Sequence, residues 1–418
     1  MAHETPTHAE GILSRRFGVA WVFLLVSATL GLLLRAMTLH PIDVLVFGHV
    51  LHAHSHVAFL GWVFNAFFVA ALRHFIPADR ARSYDRIWWA MQIAVLGMLA
   101  TFPAQGYAPA SIAFSTLHMG ASAVFAWKLW HGDRAAPEAR LFLRVALVCV
   151  LVSGLGPLAL GPLAALDLRH SPAYPLSIYF YLHFQFNGWF VFFLLALWLQ
   201  RRSERGDPVP RESAMRAGPW LVVGCVLTFA LSALWLSPPA WVQAIGLLGA
   251  VLQVVGLAHL LRGTGSARRD APGGVSRILV RLAVGSLMLK FLLQLLSAIP
   301  GLGGLASQRF VVIAFLHLVF LGFVTPALMA WATENGWLRR GALRTSGMAL
   351  VLAGTAVTEI VLIAPTLGAL AGWPLELPIR EVLAGAAGVI VLGIAMLGAV
   401  LQSGQAASRS DAESTAAP

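Results

Sequence analysis

Apolar residues run along this chain in long blocks separated by short polar intervals. Twelve such blocks fall near 17–36, 44–72, 86–103, 108–130, 141–163, 176–200, 217–236, 239–261, 277–299, 309–332, 344–365 and 381–403. A helix of about 20 apolar residues crosses a bilayer. In hydrocarbon only helices and closed barrels satisfy every backbone N–H and C=O, and blocks this long are helices. The expected fold class is therefore all-α: a polytopic membrane protein of about twelve transmembrane helices. The short intervals predict one membrane domain, 17–403. A polar N-terminal tail (1–16) precedes it, and a small polar tail (404–418) reads as disordered. The first block is too long for a cleaved signal and is expected to be retained. No internal sequence repeat stands out.

Charge sets the expected orientation. The intervals after blocks 2, 4, 6, 8 and 10 carry the basic clusters, such as Arg73/Arg80/Arg82/Arg86, Arg201/Arg202/Arg205/Arg211/Arg216 and Arg339/Arg340/Arg344. With Arg15, Arg16 and Arg409, that side holds 24 of the 29 Lys and Arg; the other has Arg35, Arg169, Arg309 and Arg380, and Lys290 lies inside a block. The positive-inside rule then predicts both termini in the cytoplasm, with the chain in a bacterial cytoplasmic (inner) membrane. Only 11% of residues are charged against 58% hydrophobic, and the net charge of +11 fits basic loops on anionic lipid. The expected partner is the lipid bilayer, with no nucleic acid. Cys149 and Cys225 sit in different apolar blocks and read as small core residues, not as a disulfide or a ligand pair.

Histidine changes the picture. A buried imidazole in hydrocarbon is costly and marks a functional site. Counting at 1.5 Å per residue from the outer ends, His52, His54 and His56 lie about 12–18 Å into block 2, and His118 about 15 Å into block 4. On the same count His183 lies about 10 Å into block 6 and His317 about 12 Å into block 10. Four helices thus place imidazoles at one height. His49, His52 and His56 share a helix face, while His54, about 200° away, points elsewhere. His74, His131 and His259 fall at helix ends, where surface histidine is ordinary. Imidazoles from separate helices can ligate haem iron or bind copper or zinc; no thiolate set suits an iron–sulfur cluster.

Twelve helices with histidines on the second, sixth and tenth resemble the catalytic subunit of haem–copper oxidases, the superfamily that includes nitric oxide reductases. The strings HVAFLGWVFNAFFVAALRHFIP (from His56), YLHFQFNGWF (around His183) and VVIAFLHLVFLG (around His317) carry the resemblance. It implies a low-spin haem b between His56 and His317, with His52 as the fallback, and a copper-ligand role for His183. The chain departs from that pattern in two places. Phe315 stands where the resemblance expects a high-spin haem ligand, and block 7 has no histidine to complete a copper site. His52, His54, His118 and His183 remain to build a replacement copper or other metal centre, with His52/His118/His183 the preferred trio. A looser resemblance, carried by His52-Ala53-His54, is to NnrS-like membrane proteins of the nitric oxide stress response.

Lys290, Gln294 and Glu359 are intramembrane polar residues that suit a proton route; a Lys290–Glu359 ion pair is one reading, which would equally balance a haem propionate or only lock blocks 9 and 11 together. Asn65 and Gln185 are candidates to support the ligands. Aromatics including Phe59, Trp62, Tyr179, Tyr181, Phe186 and Trp189 are candidate pocket walls. The function implied is electron transfer, or reduction of O2 or NO, served by a small electron-donor protein or partner subunit and with an atypical or absent copper site. The alternatives are a non-catalytic stress protein that binds nitric oxide, haem or copper, and a proton-coupled metal transporter, which would show inverted repeats.

Overall fold

The computed structural model describes residues 6–263, 273–299, 301–306, 308–373 and 378–401. Twelve long helices succeed one another: α1 (Pro6–Leu39), α2 (Phe47–His74), α3 (Ala78–Gln105), α4 (Pro109–Gly132), α5 (Pro137–Ala165) and α6 (Ala173–Glu204) come first. They continue as α7 (Arg211–Leu236), α8 (Ala240–Arg262), α9 (Gly274–Ser297), α10 (Arg309–Glu334), α11 (Ala342–Leu370) and α12 (Ile379–Ala399). No sheet forms among the described residues. Eleven of these helices are long and apolar enough to cross a membrane. The exception, α4, has the length at 24 residues, but Ser111, Ser115, Thr116, His118, Ser122 and Lys128 dilute its apolar content. The first helix starts at Pro6, inside the segment expected to be a tail; the segment 404–418 lies outside the described residues.

The helices close into a ring of three four-helix units. Within the units α3 packs on α4, α7 on α8 and α11 on α12, while α1, α5 and α9 lie against α2, α6 and α10. Contacts of α4 with α5, α8 with α9 and α12 with α1 complete the ring. The most enclosed helices are α6 and α2, whose apolar windows are 89% and 72% buried. With α10 they form the centre.

The sequence carries this threefold plan, contrary to the expectation of no repeat. His56-Val-Ala-Phe59-Leu-Gly61-Trp62, His183-Phe-Gln-Phe186-Asn-Gly188-Trp189 and His317-Leu-Val-Phe320-Leu-Gly322-Phe323 are one seven-residue motif, His-x-x-Phe-x-Gly-aromatic, in the three central helices. Each position has a packing role. The three phenylalanines meet edge to face on the central axis, with ring centroids 5.1 Å (Phe59–Phe186), 4.8 Å (Phe59–Phe320) and 5.4 Å (Phe186–Phe320) apart. The glycines admit the preceding helix. A Cβ at Gly61 would lie 2.9 Å from the Phe23 Cβ, one at Gly188 2.6 Å from the Cys149 Sγ, and one at Gly322 2.8 Å from the Ser286 Oγ. Close approach at small residues is how helices pack in lipid, where no hydrophobic force draws them together.

In all three helices the residue after the histidine opens a π-helical stretch: Val57–Phe64, Phe184–Trp189 and Leu318–Val324. A π turn inserts one extra residue into the helix and rotates the residues beyond it by about 100°. The histidine and the inner half of its helix therefore face directions that regular α-helix periodicity does not give.

The basic end of the axis is tied by polar contacts. Trp331 of α10 donates its Nε1–H to His74 Nε2 (2.9 Å), and His74 in turn donates Nδ1–H to Glu204 of α6 (2.8 Å). Read from sequence as an ordinary surface residue, His74 is buried. Glu334 accepts from both Arg201 and Arg205, and Arg73 pairs with Glu10. These groups rim a polar cavity of about 420 Å³. Glu334→Ala would leave two guanidiniums unpaired on this rim, at sites between the exposed and buried limits. It is expected to cost about 1–2 kcal/mol, read as a lower melting temperature of the detergent-solubilised protein.

Candidate functional site

Helix α2 sends its histidines to two sides. His54 faces α1: its Nδ1–H donates to the Ser27 carbonyl (2.8 Å), and its ring lies over Gly31, where a Cβ would stand 3.1 Å from the His54 Cε1. Pinning Nδ1 in this way fixes the tautomer and leaves Nε2 as the free ligand atom. The electrostatic neighbours of His317 on α10 are His54 and Arg35. The Ile313 carbonyl, one turn back on α10, is the backbone hydrogen-bonding neighbour of the His317 ring. Although well inside the bundle, both residues remain partly accessible. Arg35 of α1 and Arg309 of α10 are within electrostatic reach of each other. Arg309 also lies 5.9 Å from the Phe47 ring centroid.

His49, His52 and His56 look the other way, towards the loop between α3 and α4. His56 donates Nδ1–H to the His52 carbonyl (2.8 Å), and Tyr107 Oη lies 3.4 Å from its Nε2. The His52 ring packs edge-on against Tyr107 at 4.5 Å, and the His56 ring sits 4.4 Å from Phe102. Partial burial pushes the Tyr107 phenol up to about 12, helped by Tyr174, so it stays protonated at neutral pH. His118 of α4 is an electrostatic neighbour of His56.

His183 belongs to a third environment. Its Nε2–H donates to the Cys225 carbonyl of α7 (2.8 Å), and Asn187 Nδ2 donates to its Nδ1 (3.2 Å). Asn187 also accepts from the fully buried Lys290, whose ammonium donates to Gln294 Oε1 at 2.7 Å as well. A hydrogen-bonded chain thus runs Gln294–Lys290–Asn187–His183–Cys225. Lys290 bonds amides, and the ion pair with Glu359 is not formed; Glu359 Oε1 is buried with no partner.

The histidine layer therefore exists as three separate places. His317 has His54 as an electrostatic neighbour, and His118 has His56; the sequence reading paired His317 with His56. The structure does not assemble the trio His52/His118/His183: among the described residues no three His, Cys, Asp or Glu side chains are placed to share a metal ion. Asn65 supports no histidine; it exchanges two 3.1 Å hydrogen bonds with Gln92 of α3. Gln185 bonds Ser153 instead (2.9 Å). Phe59 and Phe186, read as pocket walls, pack on the central axis. Cys149 and Cys225 are both free thiols and border one lipid-side apolar groove of about 410 Å³. Sequence reasoning missed Tyr107, Asn187 and the Arg35–Arg309 pair. The first two meet their histidines only through folding, and the two arginines read as ordinary outer-end charges.

No protein-family model matches the sequence, and no curated protein does. Among solved structures the chain is similar to a heme–copper terminal oxidase, determined as a dimer by cryo-EM. The TM-score is 0.59 at 14% identity, over 98% of this chain and 84% of that one. The shared property is the fold. About six in seven aligned residues differ, so the likeness does not carry over any site residue.

Proposed function

We propose that this chain is a membrane haem protein that holds one haem b between His54 of α2 and His317 of α10 and carries out electron transfer. The observation that carries this reading is that His54 and His317 are electrostatic neighbours and both only partly buried, with His54 Nδ1 already committed to a backbone carbonyl. The surroundings fit the group in a second respect. Arg35 is an electrostatic neighbour of His54, His317 and Arg309, and two guanidiniums match two propionates.

A haem bound there supplies a one-electron iron couple. The chain's part is to present two imidazoles, exclude bulk water with the Phe59/Phe186/Phe320 cluster beneath, and balance the anionic edge of the macrocycle. With both imidazoles on the iron, no position would be left for a diatomic ligand. Electron transfer therefore suits this pair better than reduction of O2 or NO, which needs a vacant ligand site. The place where the oxidase resemblance implies copper supports the same choice. Both ring nitrogens of His183 are hydrogen-bonded within the protein, next to a lysine instead of further histidines.

The transporter reading draws less support: the three units are parallel repeats, with every motif histidine at the same end of its helix, and not the inverted pair that reading calls for. The test is a pyridine haemochrome assay with iron quantification on the purified protein. About one b-type haem per chain is expected, and a colourless protein without stoichiometric iron would end the proposal.

A further inference from the structure

We infer that Cys149 of α5 and Cys225 of α7 are a redox-active thiol pair, which a lipid-soluble quinone oxidises reversibly to a disulfide between the two helices. The inference stands without the haem reading, because it uses neither His54 nor His317 nor the arginines beside them.

The chain has only two cysteines, and folding brings both to the border of one groove. Helices α5 and α7 pack against each other. They approach closely at Gly218 of α7, where a Cβ would stand 2.3 Å from Leu141 Cδ2 of α5. As alternate helices of the bundle they run the same way, so residues about two turns further along each come level again. Those residues are Cys149, eight after Leu141, and Cys225, seven after Gly218. Cys149 is accordingly the side-chain hydrogen-bonding neighbour of Cys225.

Helix α6 holds the pair in place. Gly188 leaves the room that Cys149 occupies, since a Cβ there would lie 2.6 Å from the Cys149 Sγ. His183 donates Nε2–H to the Cys225 carbonyl (2.8 Å). Both anchors belong to the α6 copy of the His-x-x-Phe-x-Gly-aromatic motif, so the thiols sit on the lipid side of that motif. The buried Lys290 ammonium is an electrostatic neighbour of Cys225. It offsets the negative charge a sulfur carries when it gives up its proton.

The groove selects the oxidant. It holds about 410 Å³ and is lined by Val145, Val148, Val152, Val222 and Phe184 beside the two cysteines. Cys149 lies about 18 Å along α5 from the Pro137 end, deep in a hydrocarbon layer about 30 Å thick. Such a setting disfavours water-borne oxidants and admits an apolar quinone. The step balances. Two S–H bonds break and one S–S bond forms, while the two electrons and two protons released convert the quinone to its quinol. The new bond would tie α5 to α7 at the end of the Gln294–Lys290–Asn187–His183–Cys225 chain.

The test uses the full-length protein, purified under reductant and placed in lipid nanodiscs containing a short-tailed ubiquinone. After anaerobic incubation the chain is denatured, treated with a maleimide and weighed intact. Two maleimide adducts are expected without quinone and none with it, the chain then being two hydrogens lighter. Dithiothreitol should restore both adducts. Cys149→Ser and Cys225→Ser should each keep one alkylatable thiol through the same treatment. Two adducts persisting after quinone, a quinone bonded covalently to the chain, or a disulfide joining two chains would each overturn the proposal. So would a single-cysteine variant that loses its thiol as fast as the unaltered chain does. Hydrogen peroxide oxidising the pair faster than the quinone at equal concentration would overturn the route through lipid.

Discussion

Alanine at His317 or at His54 is expected to abolish the b-type reduced-minus-oxidised spectrum, while alanine at His56 leaves that spectrum in place. The expectation rests on which way each ring faces. His54 reaches α1 and lies within electrostatic reach of His317, whereas His56 is turned to Tyr107 and His118. Losing one of two axial ligands converts a low-spin haem to a high-spin or unligated one, so the sharp low-spin α-band should vanish even if some haem is retained. Arg35→Ala is expected to have a milder effect, with the band kept and haem more easily lost, because a propionate partner is removed and both ligands remain. The informative comparison is His54→Ala with His56→Ala on the same day's membranes. If His56→Ala abolishes the band and His54→Ala spares it, the ligand pair is the one the sequence resemblance implies, and the assignment of His54 to the haem face fails.

Gly188→Ala is expected to destabilise the protein by about 1–3 kcal/mol, the usual cost of overpacking. Its added Cβ would stand 2.5 Å from the Cys149 Cβ, which is fixed to the α5 backbone and cannot swing aside. The same change at Gly322 should cost less, since the atom it meets at 2.8 Å is the Ser286 hydroxyl, which can rotate away. At Gly285, on the exposed side of α9 with nothing within 4 Å, alanine should be neutral or stabilise by up to about 1 kcal/mol. Thermal unfolding in one detergent, monitored by loss of monodispersity, should rank the three as Gly188, Gly322, Gly285. Equal melting temperatures would show that the motif glycines do not set the spacing of the central helices.

Much of the architecture is legible without coordinates. Long apolar blocks permit only helices in lipid, and twelve of them lead to an all-α membrane fold whose boundaries agree with the structure to within a few residues at most ends. The threefold motif is also present in the sequence. It is hard to read there because its three copies are separated by more than a hundred residues each and share only a histidine, a phenylalanine, a glycine and an aromatic residue. Their equivalence becomes visible once Phe59, Phe186 and Phe320 meet on one axis.

The candidate site is legible in its residue types and not in its groupings. Hydropathy and helix rise place imidazoles of four helices at one height, because depth along a helix depends only on local geometry. Which of those imidazoles face each other depends on rotation about each helix axis and on which helices become neighbours. The π turns begin next to His56, His183 and His317, so regular helix periodicity fails where the site needs it. Lys290 shows the same limit: open on sequence to a carboxylate partner, it bonds Asn187 and Gln294, because a buried ammonium takes whatever acceptors packing brings within reach. The sequence by itself determined that this chain is a helical membrane protein with a layer of histidines. Only the tertiary structure decided that His54 turns to Ser27, His56 to Phe102 and Tyr107, and His183 to the Cys225 carbonyl, because those contacts join different helices and depend on how each is rotated about its axis.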